Sequence, residues 1–239
     1  MISIELDNIT KSFENTRAID GLSLRFEPGT LHGIIGPDGA GKTTLLRLVG
    51  GLLKPGSGRI LYKSGPNPAA FEEVRANLAY MPARPSLYAD LSIREHLEFF
   101  KSLYQLPRDE YAAKSKRLLE ITRLERFTER KVGELSGGMY KKLGLMCALL
   151  QSPTILLLDE PTNGVDPISR REFWELLYQL LEQNILILIS TAYMDEAERC
   201  GMVHLIDSGR LIASGEPKEI LRKEKAGTFD ELFLRSAKK

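Results

Sequence analysis

With 239 residues, 43% of them hydrophobic and 27% charged, the chain is long enough for one α/β domain with a subdomain inserted into it. Its formal net charge of +1 gives no bulk reason to expect nucleic acid or an anionic membrane surface as a partner. No apolar run approaches the roughly eighteen residues of a membrane-spanning helix. Cys147 and Cys200 lack metal-ligand spacing and read as buried reduced thiols, compatible with a reducing cytosolic compartment. The start of the chain, Met1 to Asp7, has neither a basic segment nor a long apolar stretch, so no signal peptide is expected.

Ile2, Ile4 and Leu6 alternate with polar residues, the pattern of a half-buried strand, and Leu22, Leu24 and Phe26 repeat it. Glu27-Pro28-Gly29 then turns the chain into a short apolar strand, Leu31 to Ile35. A Gly-rich loop follows, and after it a leucine-rich helix from Thr44 to Val49. Gly50 to Gly58 is dense in Gly and Pro and reads as a loop before a strand at Arg59 to Tyr62. Asn77 to Met81 reads as another strand, stopped by Pro82. From Ser92 to Leu150 the character is helical: Ser92-Ile93-Arg94-Glu95 is a capping box, Leu97 and Phe100 continue an apolar face, and Pro107 separates a second helix at Arg108 to Leu119. Ile155 to Leu158 and Ile185 to Ile189 are unbroken apolar runs, as parallel strands covered on both faces require. Between them a helix starts at Pro167 and runs to about Glu182. Val203 to Ile206 and Arg210 to Ala213 close the pattern through Asp207-Ser208-Gly209. Runs alternating with helices predict an α/β fold with a parallel, doubly wound sheet, into which residues 84–150 insert a helical subdomain.

Gly36-Pro37-Asp38-Gly39-Ala40-Gly41-Lys42-Thr43-Thr44 has P-loop spacing, with a strand before it and a helix after it. Such glycines let the backbone approach a triphosphate, and the helix N-terminus adds a positive dipole end. Lys42 would reach the β- and γ-phosphates, and the Thr43 hydroxyl would ligate Mg²⁺. Asp159 and Glu160 follow a buried run at the strand edge where α/β sheets bind ligands, so Asp159 would orient the metal shell and Glu160 would polarise the attacking water. An acid in that place also serves simply to start a turn. Leu135-Ser136-Gly137-Gly138-Met139, at the start of a helix running to Leu150, is either an anion site without a lysine or a flexible N-cap.

The order P-loop, helical insert ending in Leu135-Ser136-Gly137-Gly138, then Asp159-Glu160-Pro161-Thr162, resembles the nucleotide-binding domain of ATP-binding cassette (ABC) proteins from about Ile2 to Gly215. The resemblance implies a P-loop NTPase core with a parallel sheet, an antiparallel β subdomain at the N-terminus and the inserted helical subdomain. A single domain would fill residues 1–225, its core being 1–83 and 151–225, with a C-terminal helix or linker over 226–239. ATP and Mg²⁺ are the implied ligands. Phe13 matches the family's adenine-stacking aromatic, the alternative being a core aromatic at a strand end. Ser136, Gly137 and Gly138 would contact the γ-phosphate of an ATP held by a partner domain. Pro161 to Asp166 matches the D-loop, with Asp166 at its acidic position and Val165 where Leu is usual. Such domains work as head-to-tail pairs that close on two ATP molecules and drive a transmembrane permease from the cytoplasmic face of the cell membrane.

Departures from the family pattern qualify this expectation. Met139 replaces the usual Gln, as in the drug-exporter branch, and Asp38 stands at a usual Asn position, where an added acid weakens phosphate binding unless it faces away. Ala83 occupies the Q-loop glutamine position and Ala192 the switch-histidine position, and alanine can neither hold water nor hydrogen-bond a phosphate. None of His32, His96 and His204 follows that strand. The pattern resembles the first half of a tandem ABC-2, drug-resistance-type exporter ATPase, with a degenerate site of its own and Thr228 to Phe233 as the helix that ends one such unit. The alternatives are a non-hydrolysing regulatory ABC half and a soluble ABC protein acting on ribosomes. The last should carry basic patches, whereas Lys141-Lys142 and Arg170-Arg171 are short pairs that read as solvated helix faces. No nucleic acid partner is expected, and the surface from Arg84 to Arg94 with the helical insert would receive a helix of the permease.

Overall fold

The computed structural model describes residues 1–236, so 237–239 of the tail expected as helix or linker lie outside it. Strands β1 (Ile2–Phe13) and β2 (Thr16–Phe26) form an antiparallel hairpin, and β3 (Leu31–Ile35) leads through the Gly-rich loop into α1 (Lys42–Val49). Next come β4 (Ser57–Ser64), β5 (Asn67–Ala69), the short α2 (Phe71–Arg75) and β6 (Leu78–Met81). Helices α3 (Ile93–Leu103), α4 (Arg108–Thr122) and α5 (Gly137–Leu149) precede β7 (Ile155–Asp159). The chain continues as α6 (Pro167–Leu181), β8 (Leu186–Thr191), β9 (Met202–Asp207), β10 (Arg210–Gly215), α7 (Pro217–Glu224) and α8 (Phe229–Ser236).

The strands make two sheets. One is antiparallel, in the order β2-β1-β4-β5; the other is β10-β9-β3-β8-β7-β6, parallel except for β10 at its edge. β1 is paired on both sides, by β2 and β4, so backbone hydrogen bonding extends it through the mostly polar stretch Asn8 to Ser12, well past the alternating stretch Ile2 to Leu6. The same pairing lengthens β4 beyond Arg59 to Tyr62.

β7 and β8 are apolar throughout because both faces of the parallel sheet are covered. Leu156, Leu158, Ile187 and Ile189 join a core with α5 and α6, whereas Ile155, Leu157, Leu186 and Leu188 join one with α1 and the β1–β2 hairpin. Each such fully buried aliphatic side chain contributes roughly 1.5–3 kcal/mol relative to exposure. The helix starts follow local chemistry. Ser92 Oγ accepts from the Glu95 amide at 3.2 Å and Glu95 Oε2 accepts from the Ser92 amide at 2.7 Å, the reciprocal capping box of α3. Asp166 Oδ1 accepts from the amides of Ile168 and Ser169 at 3.1 and 3.0 Å, ahead of Pro167 at the first helical position of α6. Among the described residues no helix is long and apolar enough to cross a membrane.

Candidate functional site

Parallel strands β3, β7 and β8 end side by side, which brings the Gly36–Thr44 loop, Asp159–Glu160 and Thr191–Ala192 to one edge of the sheet. Gly41 closes the loop at φ 104°, where an added Cβ would lie 2.4 Å from the Ala18 carbonyl oxygen of β2; only glycine fits. Lys42 is 4% exposed, and its Nζ donates to the carbonyls of Gly36 and Pro37 at 2.9 Å each. The same ammonium lies 3.2 Å from Glu160 Oε1 and 3.9 Å from Asp38 Oδ1. The Asp38 side chain is 92% exposed, yet its carboxylate stays within ion-pair reach of Lys42 and borders the cleft over the loop, so this acid does not face away. A cleft of about 330 Å³ opens over the loop, with Thr16, Arg17 and Ala18 of β2 as its far wall.

Asp159 is buried and fully partnered. Its Oδ1 accepts from the Thr43 hydroxyl at 3.0 Å and from the Ser190 hydroxyl at 2.7 Å, and its Oδ2 from the Tyr80 hydroxyl at 3.1 Å. Burial, with the Asp159 charge adding to it, pushes the Tyr80 phenol up to about 12, so Tyr80 remains a donor at neutral pH. Glu160 adopts φ 44°, a left-handed conformation for a non-glycine residue. Its amide donates to the Ser190 carbonyl and hydroxyl at 3.1 and 3.0 Å, and its Oε2 accepts from Asn163 Nδ2 at 2.9 Å. Beside it a second cavity, about 250 Å³, is bounded by Asp38, Asn163, Ala192 and Tyr193. No side chain longer than a methyl enters from position 192.

Other expected residues sit elsewhere. Phe13 ends β1 at 45% exposure with Lys11 Nζ 5.5 Å from its ring centre, so it is no core aromatic; it pairs across the hairpin with Thr16, which lines the cleft, and does not line it itself. Ser136 is the N-cap of α5, its Oγ accepting from the Met139 amide at 3.3 Å, and Gly137 and Gly138 form the first turn. A Cβ on Gly138 would fall 2.5 Å from Ser169 of α6, so this glycine lets two helices meet. None of Ser136, Gly137 and Gly138 lines the two cavities beside Lys42 and Glu160. Asp166 acts locally as the α6 cap, and those amides hold its carboxyl below the usual range.

Lys141 and Lys142 do not form the solvated face expected of them; both are buried, because each finds acceptors inside. Lys141 Nζ donates to the carbonyls of Ala83 at 2.5 Å and Glu160 at 3.0 Å, and Lys142 Nζ meets Glu172 Oε2 at 2.6 Å. Arg170 is likewise engaged, 3.3 Å from the fully buried Glu196, while Arg171 is exposed. Sequence reasoning missed Tyr80, Asn163 and Ser190 as site residues. Ser190 alone carried a signal, one residue before the end of an apolar strand. The histidines are structural: His32 Nδ1 and His204 Nε2 lie 3.0 Å apart between β3 and β9.

Residues 19–163, from β2 through the P-loop and α5 to Asn163, match the family model described as ABC transporter. The chain belongs to the ABC transporter family. This ABC domain is 43% identical over 231 residues to the probable multidrug ABC transporter ATP-binding protein YbhF of Escherichia coli K12, covering 95% of the chain but 39% of that relative. It is 39% identical over 222 residues to the Nod factor export ATP-binding protein I of Burkholderia thailandensis, covering 92% of the chain and 73% of that protein. Among solved structures, an ATP-binding subunit of an ABC transporter superposes with a TM-score of 0.83 at 29% identity, over 97% of this chain and 98% of that one. Another, cbiO1 from Clostridium perfringens, gives 0.82 at 28% identity over 93% and 91%. The fold and family are those of an ABC-type ATPase that binds ATP.

Proposed function

We propose that this chain is the ATP-binding unit of an ABC exporter, pairing head-to-tail with a second ABC domain and acting on a transmembrane permease at the cytoplasmic face of the membrane. ATP would lie on Gly36 to Thr44, with Lys42 exchanging its present carbonyl and Glu160 contacts for the β- and γ-phosphates. The Thr43 hydroxyl and the Asp159 carboxylate, 3.0 Å apart, are the hard oxygen donors that Mg²⁺ prefers. Bound there, Mg²⁺ supplies charge neutralisation at the phosphate oxygens. Glu160 would orient the attacking water, with the Asn163 amide holding its carboxylate. Phe13, exposed beside the cleft, would stack on the adenine. Ser136 to Gly138, outside both cavities, and Asp166 would serve the partner's nucleotide. An apolar groove lined by Pro85, Leu87, Phe100 and Tyr104 supports docking of a permease helix on the insert. The export direction rests on the multidrug and Nod factor export relatives named above.

The observation that carries the mechanism is the cavity beside Glu160, into which position 192 sends only a methyl group between Thr191 and Tyr193, together with Ala83 just past the end of β6. A missing group that acts in the transition state typically removes about 10²–10³ in rate. The chain's own P-loop therefore grips ATP and hydrolyses it slowly, and its main contribution is to complete the partner's site. Ala192→His tests this. A rise in turnover of about tenfold or more at unchanged Mg-ATP affinity supports a slowed exporter ATPase, whereas unchanged turnover favours a non-hydrolysing regulatory half.

A further inference from the structure

Three residues of α5 hold the segment that leaves β6, two by side-chain hydrogen bonds and a glycine by close approach. The Tyr140 hydroxyl donates to the Pro85 carbonyl, and Gly144 lies so close to Pro85 that an added Cβ would stand 2.7 Å from its Cγ. Lys141 does more, because its ammonium spans from the Ala83 carbonyl at 2.5 Å to the Glu160 carbonyl at 3.0 Å. It thereby joins the end of β6, the end of β7 and the helix whose first turn is Gly137-Gly138. Ala83 itself has only a methyl group and can form no such link from its side chain.

A buried ammonium is costly unless its protons are bonded, and at 8% exposure this one is held by two carbonyls with the Glu160 and Asp159 charges nearby. Burial lowers the Lys141 pKa and those two carboxylates oppose the shift, with the Arg84 charge lowering it further. The tether also acts where the backbone is least ordinary. Glu160 sits at φ 44°, and any turn of its peptide must break the bond to Lys141. From Glu160 the line continues to the P-loop, since its carboxylate is 3.2 Å from Lys42.

We propose that Lys141 is a positioning residue that couples nucleotide at the P-loop to the placement of the helical insert, through the backbone of Glu160 and Ala83. The proposal rests on ATP binding at Gly36–Thr44. The test is hydrogen exchange of the full chain with and without Mg-ATP, read separately at residues 36–44 and 83–91. In the wild type, Mg-ATP should slow exchange in both segments. In Lys141→Met, which keeps an unbranched side chain one atom shorter and removes its donors, residues 36–44 should still be protected and Mg-ATP affinity should stay within about twofold. Protection at 83–91 should be lost. Lys141→Arg should recover part of it, which a purely structural role would not predict once all variants show the same melting profile. If Lys141→Met does not fold, Lys141→Gln, which retains a shorter donor, takes its place. Nucleotide-dependent protection at 83–91 in the Met or Gln variant equal to the wild type overturns the coupling, as does its absence in the wild type. Absence of protection at 36–44 in the wild type is a different failure, that of ATP binding itself, and removes the coupling with it.

Discussion

Gly138 and Gly137 are neighbours in the first turn of α5, and the structure assigns them opposite sensitivities. A Cβ at Gly138 would lie 2.5 Å from both Cβ and Oγ of Ser169, whereas one at Gly137 would meet only the Gly164 carbonyl oxygen at 3.4 Å. Ordinary carbon contacts are about 3.5–4.0 Å, so Gly138→Ala must push α5 from α6 by about 1 Å or force both helices to adjust. Overpacking of that kind costs about 1–3 kcal/mol, and the better helix propensity of alanine returns at most about 1 kcal/mol. The net loss is about 1–2 kcal/mol. For a chain of this size that is a fall in Tm of about 2–8 °C in a thermal melt followed by circular dichroism. Gly137→Ala should leave Tm within about 1 °C or raise it slightly. Ser169→Gly should restore part of what Gly138→Ala loses, because it removes the atoms in the way. Equal shifts for the two alanine variants, or no rescue by Ser169→Gly, would refute the packing role and leave Gly138 with a purely functional one.

Burial holds His32 at about 4 and His204 at about 3, so both remain neutral in the folded chain while the unfolded histidines protonate near 6.5. The unfolded state therefore binds more protons between those values, and stability falls as pH drops below about 6.5, by up to about 2 kcal/mol for each histidine at pH 5. A urea-denaturation series from pH 7.5 to 5 should show this slope, and His32→Gln should flatten it; an unchanged slope in the variant counts against the pair as its source. Gly41→Ala, strained at φ 104° and blocked by the Ala18 carbonyl, should weaken Mg-ATP binding at least tenfold (about 1.4 kcal/mol) in an equilibrium titration, and unaltered affinity would contradict the loop's assignment.

The P-loop and the buried strands were legible because their signals are local. Spacing, glycines and unbroken aliphatic runs in Leu31–Thr44 and Ile155–Glu160 each dictate geometry without help from distant residues. Ser92-Ile93-Arg94-Glu95 closed as a capping box for the same reason. What was hidden depends on pairing or burial across the chain. β1 continues to Phe13 because β2 and β4 flank it, although most of its later residues are polar. Lys141 and Lys142 looked like solvent-facing charges, since nothing in a Lys-Lys pair shows that Ala83, Glu160 and Glu172 will supply acceptors. Ser190 and Tyr80 reach Asp159 only because β8 and β6 flank β7 in the sheet. The lack of a hydrogen-bonding side chain at Ala83 and Ala192, by contrast, was visible from the motifs alone.

The claim that a competent ATP grip sits in an incomplete catalytic setting is tested most directly by one paired measurement on the purified chain. Mg-ATP affinity and steady-state turnover are determined together for the wild type and for Glu160→Gln. The proposed function predicts firm binding in both proteins, slow turnover in the wild type, and only a small further loss in the variant. Vigorous turnover by the chain alone, abolished by Glu160→Gln, would contradict it.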